Sequence, residues 1–228
     1  MQRSTAPIPL FLALAALAAP PAVAQSSAHI VYTFDHPQLQ PARFTIAIDE
    51  NGSARFDSQP GPVGSDYSDD VYPAPIHRDI RIDDGLRASL FRYARTHGFF
   101  DGNCDSHRSA LAFTGNKTLA YTGSDGHGTC AFVWAADPVL QRLSDQLNAV
   151  AFTLEIGRRL DVEVRHDRLG LDSELESLQD AVKDRRASDL PNIALELQTI
   201  AGDQQVMDRA RRRAMTLLSS CENPSGRN

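Results

Sequence analysis

Apolar residues recur at every second position through the first half of the chain and at every third or fourth position after Pro138. That single change of period, near Asp137, constrains the fold more than any other feature, because alternation belongs to half-buried strands and the longer period to amphipathic helices. His29–Asp35 (HIVYTFD) and Arg43–Asp49 (RFTIAID) alternate, the second with Phe44, Ile46 and Ile48 on one face. The run ENGS then leads into ARFDS, a hairpin signal, since Asn and Gly accept the backbone conformations of a tight turn. Ile76–Ile82 reads as a further strand. Ser109–Thr114, Lys117–Thr122 and Thr129–Ala135 read as three more, joined through TGNK and GSDGHG into an antiparallel meander. One helix interrupts the strands: Asp83 or Asp84 caps it, Leu86, Leu90 and Tyr93 or Ala94 form its apolar face, His97 lies at the edge of that face, and Gly98 ends it.

Beyond Asp137 the pattern is helical throughout. Leu140, Leu143, Leu147, Val150 or Ala151, and Leu154 make one stripe; Leu171, Leu175, Leu178 and Val182 a second; Ile193, Leu197 and Ile200 a third; Val206, Ala210, Arg213 or Ala214, and Leu217 a fourth. The last two helices resemble a HEAT-type pair, but such arrays need about three repeats to bury a continuous core and no second copy is present. The fold class predicted is α+β: an antiparallel sheet of about six strands with one inserted helix, followed by a carboxy-terminal helical bundle. The corresponding units are residues 25–136, residues 137–220 packed on the sheet, and a disordered tail, 221–228.

The first 24 residues are set apart. MQRSTAPIPLFLALAALAAPPAVAQ has an early Arg3, an apolar run from Ile8 to Ala19 and a small-x-small site, Ala22-Val23-Ala24, which is the pattern of a cleaved signal peptide. Cleavage after Ala24 predicts a periplasmic or secreted protein. The apolar run is shorter than the about 20 residues a membrane span needs, and no later segment reaches that length, so no stable membrane span is expected. A formal net charge of −6 argues against nucleic acid as a partner, because phosphate binding is driven by excess positive charge.

The three cysteines are Cys104, Cys130 and Cys221. In an exported chain two of them are expected to pair, and Cys104 with Cys130 is the choice, since both flank structured elements while Cys221 lies in the tail. The same region offers an alternative. C-x-x-H at Cys104 and His107, with H-x-x-C at His127 and Cys130, has the donor set of a tetrahedral zinc site.

Several other patterns in the chain touch on chemistry. Gly126-His127-Gly128-Thr129 matches the run that carries the catalytic histidine of subtilisin-like proteases, but no serine downstream lies in a nucleophile motif and no strand-end Asp-Ser/Thr-Gly lies upstream. His127 is therefore read as topping a turn, with Gly126 and Gly128 supplying backbone freedom. Counting from Asp49, the sixth and twelfth positions of an EF-hand would be Ala54 and Pro60, which cannot serve. Ser58–Pro75, with Asp66, Asp69 and Asp70, reads as an acidic surface loop, and Arg209, Arg211, Arg212 and Arg213 as a solvated helix face. No catalytic residue and no cofactor is assigned. The function expected is that of a non-catalytic binding or interaction module in the bacterial envelope or medium. Its partner is of unspecified identity, with another protein as the class considered, and it would engage through a sheet edge, the Ser58–Pro75 loop or the helical tail.

Overall fold

A computed structural model describes residues 27–62, 73–107 and 112–222. The expected signal segment, most of the Ser58–Pro75 loop with its three acids, and the tail beyond Glu222 lie outside the described residues.

Six strands form one antiparallel sheet: β1 (His29–Asp35), β2 (Arg43–Asp49), β3 (Ser53–Gln59), β4 (His77–Arg81), β5 (Asn116–Gly123) and β6 (Gly126–Phe132), in the order β4-β3-β2-β1-β5-β6. The alternation seen in the sequence places Ile30, Tyr32, Phe34, Phe44, Ile46, Ile48, Phe56, Leu119, Tyr121, Cys130 and Phe132 on one buried face. The other parity, including Val31, Thr33, Thr45 and Ala47, is only half-buried.

The chain crosses from one edge of this sheet to the other through α1 (Asp84–Thr96). Six strands spaced about 4.8 Å apart span roughly 24 Å, and a helix of 13 residues at about 1.5 Å each covers roughly 20 Å of it. Asp83 caps α1 by accepting from the Gly85 and Leu86 amides, and α1 buries Leu86, Leu90, Phe91, Tyr93 and Ala94. A 3-10 turn at Gly98–Phe100 then delivers the chain beneath β6. His97 ends α1 stacked on Tyr93, ring centroids 4.0 Å apart, as expected of a helix-end residue.

The predicted first strand of the meander does not form where it is described: Ala112–Thr114 is irregular, and the remainder of that stretch lies outside the described residues. Gly115 follows with φ +96°, where a Cβ would lie 2.6 Å from the Phe34 ring. The Trp134 indole donates to Ala112 O and the Thr114 hydroxyl to Val133 O, which hold the segment across the sheet's end. β5 pairs with β1, Leu119 opposite Tyr32, and not with a strand at 109–114.

The carboxy-terminal half comprises α2 (Pro138–His166), α3 (Leu171–Lys183), a 3-10 turn at Leu190–Ile193, α4 (Ala194–Gly202) and α5 (Asp208–Glu222). α5 runs two residues into the expected tail. Tyr32 donates to Asn148 at 2.9 Å and Tyr93 to Asp137 at 3.0 Å, joining α2 to sheet and α1. The arginine cluster is not uniformly solvated. Arg213 contacts Asp172, Gln179 and Glu176 at 3.0, 2.8 and 2.7 Å, and Arg209 also pairs with Asp172. Arg209, with Arg213 beside it, holds the buried Asp172 carboxyl below its ordinary range. Ala210, Ala214 and Leu217 of α5 are buried, which brings the flanking arginines against the acids of α3.

No helix of the described residues is long and apolar enough to cross a membrane.

Candidate functional site

The residues singled out in the sequence converge on β6 and its surroundings. The turn between β5 and β6 is only Ser124-Asp125, so Gly126 and His127 already belong to the strand, paired with Gly123 and Thr122. His127 therefore does not top the turn. It stands exposed on the outer face. The flanking glycines serve close approach, not backbone freedom: a Cβ on Gly126 would meet the Phe99 ring at 2.3 Å, and one on Gly128 would meet Phe99 O at 2.5 Å and Asp101 N at 2.7 Å. The 98–101 turn thus presses directly on the inner side of β6, and the resemblance to a protease motif is a packing requirement.

Cys104 and Cys130 are placed to form a disulfide, their sulfurs 2.14 Å and their Cα atoms 5.7 Å apart. The two histidines of the zinc alternative are not brought to them. His127 and Cys130 are three residues apart in a strand, and an odd spacing sends side chains to opposite faces. Cys130 is buried while His127 is exposed, and His107 is exposed beside Asn103, their ring and amide nitrogens 2.8 Å apart. Among the described residues no group of three or more His, Cys, Asp or Glu side chains is placed to hold a metal ion.

Both ends of β6 are pinned by carboxylates. In the turn, Asp125 accepts from the Tyr121 hydroxyl at 2.7 Å and from Arg95 at 2.7 Å, and these two donors hold its carboxyl below the ordinary range. Arg95 also bonds Glu50 at 2.6 Å, tying the turn to the β2–β3 connection. At the other end, Asp105 accepts from the Val133 amide at 2.7 Å and the His107 amide at 2.6 Å, and these bonds likewise lower its pKa. Lys117 lies beneath, 2 % exposed, its ammonium donating to the carbonyls of Val133, Gly115 and Thr114 at 2.7, 3.3 and 3.4 Å. Burial lowers its pKa. The sequence held the signal for this placement, since Lys117 shares parity with Leu119 and Tyr121.

The two outer strands differ in what they leave exposed. A two-residue turn makes Gly123 and Gly126 a hydrogen-bonded pair, and antiparallel ladders alternate bonded and non-bonded pairs. Gly128, Cys130 and Phe132 therefore bond inward to β5, while the amides and carbonyls of His127, Thr129 and Ala131 point away from the sheet. Among the described residues none of these groups has a backbone partner, and all three residues are exposed. At β4 the flanking bonds Ser58 N to Ile76 O and Ile82 N to Gly52 O put His77, Asp79 and Arg81 on the outward side. There Asn192 pairs with Arg81 as a strand would, accepting from its amide at 3.0 Å and donating to its carbonyl at 2.9 Å. Arg78 reaches Asn192 O at 3.0 Å and the buried Glu196. The sequence gives no local signal for Asn192, because it lies 111 residues from the Arg81 main chain it bonds.

An α+β chain with a one-sided sheet, one edge capped at Arg81 by the helical half and one edge that no described residue pairs is the class that this geometry defines. No protein-family model matches the chain, and no curated protein matches it in sequence.

Proposed function

We propose that this is an exported, non-catalytic interaction module that takes an extended polypeptide segment along β6. The observation that carries the reading is the row of outward amides and carbonyls at His127, Thr129 and Ala131, on a strand whose two ends and inner side are rigidly supported. Proteins commonly protect such edges with lysine, proline, bulges or a cover, and β6 has none of these among the described residues. An added strand gains main-chain hydrogen bonds from the edge, with specificity set by alternate side chains. Export through the amino-terminal segment would place Cys104 and Cys130 where they oxidise, locking the loop 98–107 under β6 before a partner arrives.

The test uses peptides selected from a random display library on the wild-type protein. Their affinity is expected to fall about tenfold or more for Thr129→Pro, which removes an outward amide that has no partner among the described residues. Asp79→Pro at the other edge is expected to leave it unchanged. Equal binding by both variants, with folding verified by circular dichroism, would overturn the reading.

A further inference from the structure

We infer that the strand seated on β6 is β6 of a second copy of this chain, related by a two-fold axis through Thr129; this rests on the reading of β6 as the interaction edge. The outward residues His127, Thr129 and Ala131 are symmetric about Thr129, so two copies can pair antiparallel with on the order of six new N–H···O bonds. In that register Thr129 faces Thr129 and His127 faces Ala131 on the outer side. On the inner side Gly128 faces Cys130 and Gly126 faces Phe132, so each bulkier side chain meets a residue with none.

Charge supports the same occupant. The strand GHGTCAF contains no Lys, Arg, Asp or Glu, so self-pairing sets no like charges opposite each other. The carboxylates at its ends, Asp125 and Asp105, already accept bonds within their own copy. The same operation on β4 gives the reverse result. Its two-fold centre is Asp79, which would face another Asp79, and His77 would face Arg81. Like charges directly opposite are destabilising, and Asn192 already occupies the Arg81 position. Only one edge therefore pairs with itself, and the assembly closes as a dimer with a continuous sheet instead of growing into a fibre.

Sedimentation equilibrium of the chain recovered from the periplasm, over a wide concentration series, tests this. Wild type is expected to dimerise. Thr129→Lys and Thr129→Asp, each placing like charges across the axis, are expected to weaken the dimer about tenfold or more when alone and to recover it when mixed with each other. Thr129 is exposed, and circular dichroism checks that both variants fold. A wild type that stays monomeric, or single variants that dimerise as wild type does, would overturn the inference; so would a mixture that fails to associate. A monomeric wild type that still binds selected peptides in a Thr129-dependent way removes the second copy alone and leaves the edge reading standing.

Discussion

The two edges of the sheet solve the same problem by different means. β4 is five residues long, charged, and engaged by side chains from the helical half: Asn192 bonds the main chain of Arg81 at its end, Glu196 meets the Arg78 side chain, and just past the strand Asp189 accepts from the Asp83 amide at 3.2 Å. β6 is seven residues long and has no Lys, Arg, Asp or Glu, and it is supported from beneath by the local segment 98–107 while no described residue pairs with its outward side. The lesson is that support and closure are separable. A strand can be held rigidly and still keep its hydrogen-bonding groups available, whereas closing it takes a distant element in the plane of the sheet.

The comparison can be broken most strongly at the β6 side. Replacing both Cys104 and Cys130 by Ser removes a crosslink spanning 26 residues and is expected to cost about 3 to 4 kcal/mol in denaturant unfolding under oxidising conditions. A cost near zero would mean the loop is held by its other contacts. Next comes Gly128→Ala. Its Cβ would lie 2.5 Å from a backbone oxygen that cannot swing aside as a side chain can, so about 2 to 3 kcal/mol is expected by the same measurement.

The edges also differ in the sign of their response to acid. Burial pushes the Asp189 carboxyl up to about 6. Its folded pKa exceeds its unfolded one, so its contribution is fully present below about pH 4 and is lost as pH rises through about 6. Asp189→Asn keeps an acceptor for the Asp83 amide and is expected to raise stability at neutral pH by about 2 kcal/mol, with the gain vanishing near pH 4. Asp105 behaves oppositely: its lowered pKa means a contribution present at neutral pH and lost in acid. Urea melts across pH on Asp189→Asn and Asp105→Asn, each against wild type, separate these slopes, and slopes of the same sign would erase the contrast. The smallest effect is expected at Asn192→Ala, about 1 kcal/mol from two exposed hydrogen bonds, accompanied by faster amide exchange at Arg81.

Much of this architecture was legible from pattern. Parity in RFTIAID put Phe44, Ile46 and Ile48 on the buried face, and the same rule applied to GHGTCAF places Cys130 on the inner side and His127 on the outer. Reading GSDGHG as one long turn concealed that rule, because glycines usually mark bends, whereas here two of them are strand residues pressed by Phe99 and Asp101. The described end of Ser109–Thr114, Ala112–Thr114, is irregular for a related reason: its composition suits a strand, but the places beside β5 are taken by β1 and β6.

From its sequence alone, then, this chain determined where strands give way to helices, where most of those elements lie, and that two of its cysteines could pair. Those properties depend on neighbours within a few positions, and hydrophobic burial acts on them wherever the segment docks. Only the tertiary structure decided that α1 carries the chain across the sheet, that Asn192 bonds the Arg81 end of one edge and that nothing described pairs with the other. Such outcomes depend on which distant backbone groups come within about 3 Å of each other, and no local pattern encodes that distance.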